Sequence, residues 1–293
     1  METVKTIVAA LDLEAGSDAV LARAVQLATE HGARLVVVHV VEAPSLAPSP
    51  PERHETDLEA HLTHQAQAAI SALLAEGGSV SADVEVGFGA PHAVITDVAG
   101  TRGADLVVIG PGQYHSLGEK VLGSTADRVV RTSPVPVLVV RDRSAARYRR
   151  VAAAVDFSPQ SAAAAKSALR LVPAARFELV HAFSIPLTFE QAMLRAGTSE
   201  TDMQAYRSAK RASAHKRLSR FVREVFGTET VGTHILDGEP APSLLRLARS
   251  GDIDLLALGP NGRGVILRTL LGSVTQRVLR EAACDVLVAS VPD

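Results

Sequence analysis

Apolar positions fall along the chain in two alternating patterns. Short continuous runs come first: Thr6 to Leu11, Leu35 to Val41, Ala104 to Ile109 and Val135 to Val140. Runs of this length, rich in Val, Ile and Leu, predict strands buried on both faces. Between them the apolar spacing becomes helical. Ala19, Leu21, Ala24, Leu27 and Ala28 follow Ser17, which is placed to cap a helix. Leu58, Leu62, Ala66, Ile70 and Leu73 predict one face of a long helix over 53–76. Val80 to Val86 alternates like a strand, Gly89-Ala90-Pro91 opens a helix that ends near Thr101, and a further helix starts at Ser124. Strands alternating with helices imply a parallel sheet joined by right-handed crossovers.

The pattern then repeats. Val151 to Val155 ends at Asp156 as the first strand ends at Asp12, and Phe177 to His181 matches Leu35 to His39. Further on the offset is a constant 149 residues, from Gly89 to Gly238, Gly110 to Gly259, Gly123 to Gly272 and Arg131 to Arg280. A constant offset over so many positions points to a duplicated domain. The expected units are 1–143 and 149–293, with Arg141 to Arg150 as linker.

Composition sharpens this only in places. Of 293 residues, 47% are hydrophobic but 3% aromatic, with no Trp, so both cores must be aliphatic. The single Cys284 excludes an internal disulfide and reads as a small buried hydrophobe. No apolar run approaches the ~20 residues of a membrane helix. Met1 to Lys5 leads straight into a strand, so the expected location is cytoplasmic. The net charge of −2 hides an asymmetry: residues 1–143 carry 10 Lys and Arg against 18 Asp and Glu, residues 144–293 carry 20 against 14. The halves can attract each other, or the basic half can meet a polyanion.

The candidate chemistry sits after the strand Ile253 to Leu258, in Gly259, Pro260, Asn261, Gly262, Arg263 and Gly264, then Gly272 and Ser273. Ser273 to Gln276 reads as a capping box that opens a helix. Glycines let backbone N–H groups come close to a ligand, and a helix start offers unpaired donors at its positive end. That is a phosphate cradle, although glycines after a strand are also ordinary turn chemistry.

The spacing Gly-x2-Gly-x9-Gly-Ser at Gly259, Gly262, Gly272 and Ser273 resembles the universal stress protein family, as do Val155-Asp156, Val180-His181 and the closing Val286 to Val288. The resemblance covers nearly the whole chain as a tandem pair. It implies an α/β fold of two domains, each an open five-stranded parallel sheet with helices on both faces, of the adenine nucleotide alpha hydrolase-like type. It also implies an ATP-binding, non-enzymatic regulatory module of the stress response, with magnesium as a further candidate. Asp156 and Ala182 would meet the adenosine, and Gly259, Asn261, Gly262, Arg263, Gly272, Ser273 and Val274 the ribose and phosphates. Ligands of open parallel sheets collect at the strand carboxyl ends, which agrees with that placement. The first half offers Asp12, Val40, Gly110, Gly112, Gly123 and Ser124, but Gln113 stands at the Gly262 position and Glu14 at the Ser158 position. Its site is therefore expected to be weak or empty.

Other constellations carry less. His61 and His64, with His54 upstream, suit a solvated helix face better than a metal site. His39 and His181 recur at strand ends as satisfied, half-buried side chains. Arg207, Lys210, Arg211, Lys216, Arg217, Arg220 and Arg223 form a basic stripe over an inner face of Leu218, Phe221, Val222 and Val225. Without a recognised motif, nucleic acid is not the expected partner. The rival functions are a slow ATPase or nucleotidyl transferase, or a nucleotide-free scaffold. No Gly-x4-Gly-Lys-(Ser/Thr) loop, Gly-x-Ser-x-Gly elbow or His-Glu-x-x-His pair occurs. The apolar fifth strands are expected to pair with each other, since such edges need covering. A further homodimer and a protein partner stay open.

Overall fold

The computed structural model describes residues 3–42, 53–77, 81–112, 122–141, 144, 146–227, 231–262 and 270–291. The first half runs β1 (Thr6–Leu11), α1 (Ser17–His31), β2 (Arg34–Val41), α2 (Arg53–Gly77), β3 (Ala82–Phe88), α3 (Pro91–Thr101), β4 (Leu106–Ile109), α4 (Ser124–Thr132) and β5 (Val137–Val139). The second runs β6 (Arg150–Ala154), α5 (Pro159–Leu171), β7 (Arg176–Phe183), α6 (Leu187–Arg195), α7 (Glu200–Phe226), β8 (Gly232–Asp237), α8 (Pro240–Arg249), β9 (Leu255–Leu258), α9 (Ser273–Glu281) and β10 (Asp285–Val288). Within each half all pairings are parallel, in the order β3-β2-β1-β4-β5 and its repeat β8-β7-β6-β9-β10.

The two fifth strands join antiparallel, with Val286 opposite Val139, Leu287 opposite Leu138 and Val288 opposite Val137. One ten-stranded sheet therefore runs through the chain, and the fifth strands cover each other's edge as expected. Because that joint is antiparallel, the strand carboxyl ends of the two halves point in opposite directions. Any ligand site in one half lies at the opposite rim from its counterpart.

Helices cover both faces. Val25, Ile70, Ala168, Leu218 and Phe221 place α1, α2, α5 and α7 over one side. Ile95, Val129, Leu245 and Val278 place α3, α4, α8 and α9 over the other. The strands between are buried from both sides, which is why they read as unbroken apolar runs. Some local expectations fail. Ser17 is not the cap of α1: Gly16 holds that position at φ 107°, and the Ser17 hydroxyl donates to Asp12 Oδ1 at 2.7 Å. Leu58, assigned to the inner face of α2, is 57% exposed, because α2 begins packing only where Leu62, Ala66 and Ile70 reach the sheet. β3 starts two residues later than its alternation suggests, and α6 has no counterpart in the apolar pattern.

The halves are locked by a buried polar knot. Arg23 and Asp285 are 1% and 0% exposed, with Arg23 Nε donating to Asp285 Oδ2 at 3.1 Å. The Tyr148 hydroxyl donates to the same oxygen at 2.5 Å, and the Arg141 N–H donates to Asp285 Oδ1 at 2.6 Å. Arg23 also donates to the carbonyls of Ser144 and Ala146 in the linker, and its guanidinium stacks 4.1 Å from the Tyr148 ring centre. Arg170 to Asp105 (2.5 Å) and Arg147 to Glu30 (2.8 Å) then join the basic half to the acidic one. The stripe on α7 instead pairs within its own half, Arg207 with Glu190 and Arg211 with Asp237.

Cys284 is buried beside this knot, as its reading as a small hydrophobe requires. Burial, reinforced by the Asp285 charge, pushes its thiol up to about 12 from an ordinary value of 9.0. The unfolded chain then loses this proton near pH 9 while the folded chain keeps it, so stability falls as pH rises between 9 and about 12. Urea midpoints measured across that window should drop less steeply for Cys284→Ala, and thiol reagents should label Cys284 only in urea.

Candidate functional site

In the second half β6 runs out into Val155 and Asp156. Phe157 follows at φ 67°, a left-handed conformation that a bulky residue adopts only when its surroundings enforce it. Ser158 then caps α5, accepting from the Ser161 N–H at 3.2 Å. Its own N–H and hydroxyl both donate to Asp156 Oδ1, at 3.0 and 2.5 Å, which fixes the carboxylate at the strand end. One strand over, a His181 ring nitrogen donates to the Val155 carbonyl at 2.7 Å, so this histidine is satisfied, as is His39 on the Leu11 carbonyl. Ala182 follows on β7.

The glycine loop closes over this strand end. A Cβ on Gly259 would lie 3.1–3.2 Å from Gln160 and the Ser161 N, so any larger residue would push the start of α5 away from the end of β9. A Cβ on Gly262 would lie 3.0 Å from Asp156 Oδ2, and one on Gly272 would lie 3.3 Å from the Asn261 Cα. Gly262 is needed for space and not for a left-handed φ. The Gly272 N–H donates to the Pro260 carbonyl at 2.8 Å, and the Thr275 hydroxyl donates to the Gly259 carbonyl at 2.8 Å. Asn261 is 7% exposed; its amide donates to the Leu270 carbonyl at 3.4 Å, while its Oδ1 has no partner among the described residues.

The expected capping box does not form. Gly272 is the N-cap, and the Gln276 side chain donates to the Leu271 carbonyl at 2.9 Å. The first bond back into the helix comes from the Gln276 N–H to the Gly272 carbonyl. The N–H groups of Ser273, Val274 and Thr275 are thus left without partners among the described residues, as donors of a helix start. The structure brings together Asp156, Gly259, Asn261, Gly262, Gly272, Ser273 and Val274. Arg263 lies outside the described residues.

The first half builds the same frame with different fittings. Leu13 repeats the left-handed turn at φ 62°, and Asp12 Oδ1 accepts from the Glu14 N–H and the Ser17 hydroxyl. The Gly123 N–H donates to the Pro111 carbonyl at 2.7 Å. Gly110 packs on Val20, and Val40 follows His39 as Ala182 follows His181. Gly112, at the position of Asn261, sits at φ 85°, and a Cβ there would lie 2.9 Å from the Gly123 Cα. Ser124 opens α4, whose cap is Gly123. Gln113 lies outside the described residues. Two differences escaped the sequence reading although the 149-residue offset exposes them. Ala126 replaces Thr275, so the Gly110 carbonyl loses its hydroxyl anchor. Asp127 replaces Gln276, putting a carboxylate, bridged to Arg131 at 2.7 Å, into the first turn of α4.

His61 and His64 are exposed, and no group of three His, Cys, Asp or Glu side chains that could hold a metal occurs among the described residues. No described helix is long and apolar enough to cross a membrane.

The sequence profile of the universal stress protein family matches residues 3–141 and again 147–290. A universal stress protein of Mycolicibacterium smegmatis is 28% identical over 292 residues, covering 96% of each chain. The crystal structure of a universal stress protein from Archaeoglobus fulgidus superposes with a TM-score of 0.66 over 97% of this chain and 98% of that one, at 20% identity, which speaks to the fold. A shorter universal stress protein, crystallised in complex with cAMP, is 24% identical and covers 49% of this chain with a TM-score of 0.36. On the two profile matches, the chain belongs to the universal stress protein family.

Proposed function

We propose that the chain is a cytoplasmic ATP-binding module of the stress response, built from the repeats 1–143 and 149–293, with its working site in the second. The observation that carries this reading is the cradle at the end of β9. Gly262 leaves room beside the Asp156 carboxylate, and α9 starts with three N–H groups that have no partner among the described residues. The Asp156 carboxylate is an acceptor for a ribose hydroxyl or an adenine N–H, with the Ala182 backbone beside it. The backbone of Gly259, Asn261 and Gly262 flanks the ribose, and the helix start at Gly272, Ser273 and Val274 takes the phosphates. Arg263 adds a cation from the loop. Magnesium, which prefers phosphate oxygens and water to a protein cage, would ride on the nucleotide.

The module regulates and does not turn over its ligand. Phosphoryl transfer needs a positioned base and charge stabilisers at the γ-phosphate. The Asp156 carboxylate is engaged by Ser158, and Ser273 has no basic side chain paired with it among the described residues. Mass spectrometry of the small molecule released from native protein, followed by ATP titration of the full chain, tests the reading. An adenine nucleotide in the extract and a saturable ATP isotherm are expected. Extract free of nucleotide together with a flat titration would make the chain a scaffold. Metal-dependent ATP hydrolysis abolished by Ser273→Ala would make it an enzyme.

A further inference from the structure

The second half carries more chain than the first between its second and third strands: the offset is 142 at His39 and His181 but 149 at Gly89 and Gly238. α6 lies in that longer stretch. It buries none of its side chains, and Leu187 and Leu194 are 67% and 57% exposed. Two contacts fasten it to α7. The Phe189 ring lies on Tyr206, with centres 5.5 Å apart and planes at 33°, and Arg207 Nε donates to Glu190 Oε1 at 3.0 Å. Within this bracket lies a cavity of about 220 Å³, lined by Phe183, Ile185, Pro186, Phe189, Tyr206 and Lys210, with Ser184 at its side. None of the residues of the glycine cradle borders it.

Charge gives the cavity a direction. Two acids around it are paired with cations, Glu190 with Arg207 and Asp237 with Arg211, while Glu239 keeps its charge and accepts from the Ser184 hydroxyl at 2.8 Å. Lys210 has no carboxylate partner among the described residues; its ammonium stands 5.1 Å from the centre of the Tyr206 ring. We propose that this cavity is a second ligand site, separate from the nucleotide cradle, and that it takes a small planar aromatic acid. The ring packs into the cavity against the touching pair Phe189 and Tyr206, and the carboxylate meets Lys210. The volume falls below the roughly 300–1,000 Å³ of pockets for larger ligands, so one ring fits and a nucleotide does not. Filling the cavity gives α6 the apolar burial that its own side chains lack.

The test uses the full chain and 4-fluorobenzoate, followed by fluorine NMR. The expected Kd is on the order of a millimolar, as suits so small a ligand. Lys210→Gln and Phe189→Ser, both at exposed positions, should each weaken it about fivefold while leaving the thermal midpoint in place. 4-Fluorobenzyl alcohol, with the same ring and no charge, should bind about fivefold more weakly, and saturating ATP should leave the affinity unchanged. Absence of binding, equal binding of the alcohol, indifference to both substitutions, or displacement by ATP would each overturn the proposal.

Discussion

Asp285→Ala should cost the chain about 3–5 kcal/mol of stability, the effect of stranding a buried charge. Asp285 is fully buried at the start of β10 and accepts from Arg23, Tyr148 and the Arg141 N–H together. Removing it leaves the Arg23 guanidinium inside the joint with carbonyls, a Gln26 oxygen and the Tyr148 ring but no carboxylate among the described residues. Tyr148→Phe removes one of the hydrogen bonds and should cost about 1–2 kcal/mol. The double variant Arg23→Met with Asp285→Leu should recover much of the loss, because hydrophobic replacement of a whole buried pair is often neutral. Urea unfolding of the four proteins decides the matter. If Asp285→Ala unfolds within about 1 kcal/mol of the parent, the scale of one ordinary hydrogen bond, the knot does not hold the halves together.

This knot also marks where sequence reading stops. Strand positions were legible because parallel strands covered on both faces must be apolar throughout, as Leu35 to Val38 and Leu255 to Leu258 are. The repeat was legible because duplication preserves spacing, and the pairing of the fifth strands followed from their apolar edges. Arg23 and Asp285 are 262 residues apart, and nothing local to either announces the other. The knot breaks the pseudo-symmetry too: 149 residues before Asp285 stands Pro136, which has no carboxylate to offer. α6 was illegible for the opposite reason. Leu187 and Leu194 stand seven residues apart at helical spacing, but both stay exposed, so the pattern marks no core-facing element. At the glycine loop the residues were legible and their reasons were not. Gly262 read as a close approach of backbone to ligand, and its packing against Asp156 adds a demand for room within the protein itself. The capping box failed because Gly272, not Ser273, is the last residue outside the helix.

The full chain should bind one ATP tightly, in its second half, and Gly262→Val should abolish that binding. A Cβ at residue 262 already comes within 3.0 Å of Asp156 Oδ2, and the two further methyl groups of valine have to occupy the space between carboxylate and loop. A loss of tenfold requires only about 1.4 kcal/mol, and displacing Asp156 together with the helix-start donors at about 0.3–1 kcal/mol each exceeds it. The thermal midpoint of ligand-free Gly262→Val should stay near that of the parent, since residue 262 lies at the rim and outside both cores. The first half works against phosphate in three places. Gln113 replaces the middle glycine, Glu14 follows Asp12, and Asp127 sets a carboxylate in the first turn of α4, where anions of the ligand would need the positive helix end. Isothermal titration of the intact chain reads the asymmetry directly, and the intact chain is the right material because each half contributes residues to the buried knot. A stoichiometry of two with equal affinities would refute it. Retention of tight binding by Gly262→Val would place the working site in the first half, and Gly123→Val would then be the substitution that removes it.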